Sequence, residues 1–296
     1  MCHPPRRALE TELVSLRLRP GGPTVLAKEE FAQPGGSIKD RPARAMFAAA
    51  IRSGELRRGQ RVLDAGSGST AVAEAQAAAE LGHPFTAVLP EGTSRERIQL
   101  IELYSGEVRL TPKADGLPGA IREAERLAAE GYGFNLRQFE NPANPEAHRR
   151  GTAREIARQL PRGRVDAFAC GCGTGGTLYG TCRGLLDLGH RVLPVAARPV
   201  LHGQFSTSVP GIADGLGFAT PQSLPGLRLL EVDESMIFAT LRRLHRMGLG
   251  VGPSSGLNVA AALAIAEELG PHATVVTVLV DRADRYLSTG LLAKCA

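Results

Sequence analysis

The chain has 296 residues, enough for one or two domains with a sizeable core, and its 43% hydrophobic and 22% charged residues are ordinary for a globular protein. Aromatic residues at 4% with no Trp argue against binding nucleic acid by base stacking, and a net charge of +5 suits a small anionic substrate as well as any polymer. No run approaches about 18 apolar residues and the start, MCHPPRRALE, has no apolar signal core, so neither a membrane partner nor secretion is expected.

In chain order, strands are predicted at 13–18 and 24–28, then a helix at 41–53. Strand 61–65 leads into helix 70–81, strand 85–90 into helix 94–104, and strand 107–111 into helix 117–130. The polar, proline-bearing stretch QFENPANPEAH (138–148) marks the best boundary between two halves. Beyond it come helix 145–160, strand 167–170, helix 177–188, strand 191–196, an irregular segment at 201–226, helices 235–247 and 255–269, and strand 274–280. Alternating strands and helices mean βαβ units and mostly parallel sheet, which binds ligands beyond the carboxyl ends of its strands.

Five cysteines, odd in number and without a framework spacing, fit a reducing, cytoplasmic setting. The pair in CGCG (170–173) has no second ligand cluster, so no metal is expected. Among 35 basic side chains only four are lysines: Lys28, Lys39, Lys113 and Lys294. Three sit in ordinary contexts. Lys39, in PGGSIKDRPARAMF (34–47), lies where two glycines lead into a helix start, at the positive end of the helix dipole. Burial and a positive dipole lower a lysine pKa, which makes the amine a nucleophile toward a carbonyl.

Three small-residue loops follow strands or open helices. RVLDAGSGST (61–70) has the look of a methyltransferase nucleotide loop, but Thr70 stands where that pattern needs a glycine. GCGTGGT (171–177) brings backbone N–H groups and two threonine hydroxyls to a helix N-terminus and lacks the lysine of an ATP loop, so it fits a phosphate monoester. In GPSSG (252–256), Ser254 or Ser255 is read from the residues alone as a helix cap.

Taken together, GGSIKDR, GSGST, QFENPANP, GCGTGGT, GPSSG and RYLST occur in the order found in cysteine synthases. From about residue 22 to 292 the chain resembles the cysteine synthase and cystathionine β-synthase family of fold-type II pyridoxal-phosphate enzymes. The resemblance implies two doubly wound α/β domains with mostly parallel sheets, like the tryptophan synthase β-subunit. Residues 1–145 would contain a smaller, mobile domain at about 41–145 that binds the substrate carboxylate, residues 1–40 being able to pack on the larger phosphate-binding domain at 146–296.

The resemblance also implies roles. Lys39 would form the internal aldimine with pyridoxal 5'-phosphate and move the α-proton. Gly173, Thr174, Gly175 and Thr177 would hold the cofactor phosphate, Ser254 would face the pyridine nitrogen, and Gly211 would lie near the reactive edge. The substrate carboxylate would meet Gly66, Ser67, Gly68 and Thr70, with Gln138 as a distal partner. Two positions depart from the family pattern: Gly66 replaces a threonine, and Ser69 replaces the asparagine that donates to the cofactor's phenolic oxygen. The implied activity is β-replacement on an O-activated L-serine through an aminoacrylate, with a small nucleophile as second substrate and a homodimer as the assembly. Cysteine β-elimination, β-substitution with a non-sulfide nucleophile, and an inactive cofactor-binding scaffold are the alternatives that Ser69 leaves open.

Overall fold

The computed structural model describes residues 8–66, 68–161, 163–200, 209, 212 and 217–295. In chain order the elements are β1 (Leu13–Leu16), β2 (Val25–Glu29), α1 (Asp40–Ser53), β3 (Val62–Ala65), α2 (Ser69–Leu81), β4 (Phe85–Pro90), α3 (Arg95–Leu103), β5 (Glu107–Thr111), α4 (Gly116–Ala129) and β6 (Phe134–Asn135). They continue with α5 (Ala143–Ala147), a π-helical turn over His148–Thr152, α6 (Ala153–Gln159), β7 (Ala167–Gly171), α7 (Gly176–Asp187), β8 (Leu193–Pro199), β9 (Arg228–Val232), α8 (Glu234–Arg246), α9 (Pro253–Leu269) and β10 (Val275–Leu279). Two compact units result, one built on Lys39–Asn144 and the other on Glu10–Ile38 with Pro145–Ala296.

The first unit holds a wholly parallel sheet in the order β5-β4-β3-β6. Alternate residues of its strands serve two separate cores. Val62, Phe85, Ala87 and Leu89 pack with Met46 and Phe47 of α1, Val72 and Ala75 of α2 and Ile101 of α3. Leu63, Ala65 and Val88 pack with Ala120, Ala124 and Leu127 of α4. Coverage on both faces explains why these strands read as nearly continuous apolar runs. Helix α2 is rich in alanine, and it is tied to α1 by a two-pronged ion pair from Arg44 Nη1 and Nη2 to Glu80 Oε2 and Oε1, at 2.7 and 2.9 Å.

The second unit has the order β1-β2-β10-β7-β8-β9, parallel except for the β1–β2 pair. On one face α8 and α9 contribute Ile237, Leu241, Leu257 and Ile265 against Ala169, Val195, Val275 and Leu279. On the other, α6 and α7 contribute Ile156, Leu178, Cys182 and Leu185 against Phe168, Ala196, Val276 and Val278. Full burial of each such leucine or isoleucine stabilises the fold by about 1.5–3 kcal/mol. Each unit is therefore the doubly wound α/β arrangement expected.

Three details differ from expectation. Strands β6 and β9 were not anticipated: one is two residues long and the other lies at the margin of the irregular segment. The helix predicted at 145–160 is three pieces, because a π turn interrupts it at His148–Thr152. Helix α7 crosses there so closely that a Cβ on Gly180 would lie 2.0 Å from the Pro145 carbonyl oxygen. Lys28, read as an ordinary lysine, is fully buried, with Nζ 2.9 Å from Glu155 Oε2, 3.1 Å from Gln159 Oε1, and bonded to the Thr11 carbonyl. Its strand is central in the sheet, so its ammonium needs partners inside the protein. Among the described residues, no helix is long and apolar enough to cross a membrane.

Candidate active site

Lys39 is the residue from which α1 springs. The preceding Ile38 is fixed to the end of β10 by its N–H to the Val280 carbonyl at 2.9 Å, and Ser37 forms a bridge with Asp281. Lys39 then occupies the N-cap position with no side-chain cap, and its carbonyl accepts from Ala43 N–H at 3.1 Å. The amine thus belongs to the positive end of a 14-residue helix.

In the same unit, the loop leaving β3 opens α2. Of its predicted residues, Gly66, Gly68, Ser69 and Thr70 are described and Ser67 lies outside the described residues. Thr70 Oγ1 donates to Gln138 Oε1 at 2.7 Å, and Gln138 Nε2 donates to the Ala65 carbonyl at 2.6 Å. Asn144 Nδ2 donates to the Gln138 carbonyl at 2.8 Å. Gln138 therefore braces the loop with both ends of its amide, and one N–H of Nε2 is left over. A Cβ at Gly66 would come 2.7 Å from Gln138 Nε2, so the absence of a side chain there makes room for this brace. Ser69 is the first residue of α2, where the helix dipole favours an anion.

Behind the loop lies a feature that the sequence reading missed. Asp64 on β3 accepts from Ala65 N–H at 2.8 Å and Gln138 N–H at 3.2 Å. Burial pushes its pKa up to about 6 against those hydrogen bonds. Glu74 of α2, fully buried, is raised well above the usual carboxylate range, first by burial and then by the neighbouring Asp64.

In the second unit, β7 ends at Gly171 and the chain turns into α7. Gly171 N–H donates to Asn258 Oδ1 at 2.7 Å, and Asn258 Nδ2 donates to the Val278 carbonyl at 2.9 Å. Asn258 of α9 thus fixes where the turn begins. Gly175, with φ +76°, is the N-cap of α7 and carries no side-chain cap. Gly176 N–H donates to Thr174 Oγ1 at 3.2 Å, while the amides of Thr177 and Leu178 have no intrahelical acceptor because they stand in the first turn. The Thr174 carbonyl accepts from Phe218 N–H at 2.9 Å, and a Cβ on Gly217 would sit 2.0 Å from that oxygen. The turn at Gly173, Thr174 and Gly175 thus leads into the N-terminus of α7, the end of a helix that favours an anion. Thr177 Oγ1 lies 3.3 Å from Nε2 of the buried His148, whose Nδ1 is 3.0 Å from Thr152 Oγ1. His148 carried no signal in the sequence beyond its place after NPEA.

The two serines of GPSSG separate cleanly. Helix α9 starts at Pro253 with Gly252 as N-cap and no side-chain cap, so neither serine caps it. Ser255 Oγ instead accepts from Val280 N–H at 2.9 Å. The Ser254 side chain, 5% exposed, has no hydrogen-bond partner among the described residues. In the RYLST segment, Tyr286 Oη donates to Asp281 Oδ2 at 2.7 Å, and Gly252 N–H donates to the Asp281 carbonyl at 2.9 Å, which anchors the start of α9. Gly211 lies outside the described residues.

Comparison with known proteins gives the family. The family described as "Pyridoxal-phosphate dependent enzyme" matches residues 8–281. A cysteine synthase of Staphylococcus aureus is 38% identical over 277 residues, covering 90% of this chain and 88% of the relative. Among solved structures, an O-ureido-L-serine synthase superposes with a TM-score of 0.88 at 35% identity, covering 96% of this chain and 92% of the other. An O-acetylserine-dependent cystathionine β-synthase from Helicobacter pylori gives 0.86 at 29% identity, covering 95% of each chain. The chain belongs to the cysteine synthase family of pyridoxal-phosphate-dependent enzymes.

Proposed function

We propose that this enzyme carries out β-replacement on an O-activated L-serine, exchanging the β-oxygen substituent for a small nucleophile. The observation that carries the reading is the glycine turn into α7, whose Thr177 and Leu178 amides stand in the first turn and suit a phosphate monoester, in a chain whose Lys39 stands at a helix N-terminus. Pyridoxal phosphate, when bound, supplies the electron sink that makes the amino acid's α-proton acidic and its β-substituent a leaving group. The chain's own residues do the rest. Lys39 Nζ would hold the cofactor and is the base placed to take the substrate's α-proton. Gly173, Thr174, Gly175 and Thr177 hold the phosphate. Ser254 would offer a hydroxyl to the ring nitrogen, a partner that, unlike a carboxylate, does not favour a protonated ring. Gly66, Ser67, Gly68 and Thr70, braced by Gln138, receive the substrate carboxylate, with the first turn of α2 supplying positive potential. In this reading the Lys39–Asn144 unit is the mobile one and closes to exclude water, and two copies form a dimer in the cytoplasm.

Ser69 favours a second reading of the nucleophile. A serine is shorter than the asparagine of the family pattern and leaves more room beside the ring, and the chain resembles a synthase whose named product carries an oxygen-linked β-substituent. One experiment separates these outcomes. The holoenzyme is mixed with O-acetyl-L-serine and either sulfide or N-hydroxyurea, and separately with cysteine, with products identified by mass spectrometry. Cysteine from the first mixture supports the sulfide reaction, and O-ureidoserine from the second supports the alternative. Pyruvate and sulfide from cysteine alone, with no replacement product, would refute β-replacement.

A further inference from the structure

Helix α2 is built of small residues, and Glu74 interrupts them. The side chain is fully buried, and neither carboxyl oxygen meets a hydrogen-bond donor among the described residues. Its near neighbour is the carboxyl of Asp64, 2% exposed, on β3. Among the described residues, the Lys39 amine is near enough for a charge on it to favour the ionised form of Glu74. Two buried carboxyls in contact do not both ionise, because each removes the other's solvation and repels its charge. They therefore share a proton. Backbone N–H groups of Ala65 and Gln138 already point at Asp64 and stabilise its ionised form, whereas Glu74 has no such donors. The proton consequently resides on Glu74.

We propose that Glu74 is a positioning residue: held as a neutral acid, it donates its O–H to the Asp64 carboxylate, which in turn holds the Ala65 and Gln138 amides and with them both sides of the Gly66–Thr70 loop. Asp64 grips the chain just before the loop through Ala65 and at its brace through Gln138, and Gln138 passes the constraint to Thr70. Without Glu74, a buried carboxylate loses a side-chain donor that faces it and the grip slackens. The inference rests on the reading of that loop as the site for the substrate carboxylate, but its first two tests do not.

The first test is difference infrared spectroscopy of the purified holoenzyme at neutral pH, wild type minus Glu74→Gln. The account expects a protonated-carboxyl C=O band in the wild type that the variant lacks; absence of that band overturns the proposal. The second is amide hydrogen exchange at Ala65 and Gln138. Glu74→Gln, whose amide N–H replaces the acid O–H, keeps wild-type protection, whereas Glu74→Leu loses it by roughly 10- to 100-fold, the loss expected for a hydrogen bond to a charged group. Equal protection in the two variants overturns the proposal. The third is kinetic. Glu74→Leu raises KM for the amino acid by a similar factor of roughly 10 to 100 with kcat little changed, and Glu74→Gln restores it. A purely structural residue would lower the yield of folded enzyme and leave KM alone, and that result also counts against the proposal. Should the wild type turn over no O-activated serine, the functional reading fails while the infrared and exchange results still decide the role of Glu74.

Discussion

Replacing Asn258 by Leu tests how the phosphate turn is held. The side chain is 1% exposed and makes two hydrogen bonds inside one unit, accepting from Gly171 N–H at 2.7 Å and donating to the Val278 carbonyl at 2.9 Å. Leucine keeps its γ-branched shape but offers neither group, so one donor and one acceptor are stranded. Each costs about 1–3 kcal/mol, and the variant is therefore destabilised by about 2–6 kcal/mol. Because Gly171 is the first residue of the turn, the loss falls on cofactor retention as well as on the fold. Denaturant unfolding of the apoprotein measures the first effect, and equilibrium dialysis of pyridoxal phosphate against the folded variant measures the second. Stability within about 0.5 kcal/mol of wild type together with unchanged cofactor affinity would refute the assignment, since surface substitutions of no structural consequence fall in that band.

Ser255→Ala strands the Val280 N–H and costs about 1–3 kcal/mol by denaturant unfolding, while Ser254→Ala, which breaks no bond within the described residues, leaves apoprotein stability unchanged and shifts only the visible spectrum of the holoenzyme. Lys28→Met leaves Glu155 without its buried cation and lowers stability by about 3–5 kcal/mol, part of which returns when Glu155→Gln is added. Stability also depends on pH through Asp64 and Glu74. Both carboxyls have raised pKa values in the folded chain, so above the ordinary carboxylate range the folded state binds more protons than the unfolded chain. Their contribution to stability therefore falls as pH rises from about 4 through 6 and beyond, and Glu74→Gln reduces that slope in unfolding curves collected across this window.

Much of the architecture was readable because buried parallel strands and amphipathic helices leave strong local patterns. The run from Phe85 to Pro90 and the helix after Gly175 are examples, and both start within a residue of the prediction. The missed pieces have nonlocal causes. Strand β6 is two residues that pair with Val62 and Leu63 across 72 positions of sequence, and no local period announces it. The π turn at His148–Thr152 lies where α7 passes at Gly180, a contact that sequence spacing does not encode. The same limit applied at the candidate site. Lys39 and the glycine turn stood out by composition and position, whereas Asn258, His148 and Glu74 look like ordinary helix residues until the fold supplies their partners. Lys28 shows the converse: a residue type normally exposed is buried because Thr11, Gln159 and Glu155, distant in the chain, converge on it. The two serines of GPSSG could be told apart only by the Val280 amide that one of them meets.

The chain's scarcity of lysine allows its central claim to be tested directly. Purified protein is incubated with pyridoxal phosphate, reduced with borohydride, digested and mapped by mass spectrometry. The account predicts one phosphopyridoxyl group, on Lys39, and loss of both the adduct and the visible absorption in Lys39→Ala. A modification confined to Lys28, Lys113 or Lys294, or none at all, would contradict it.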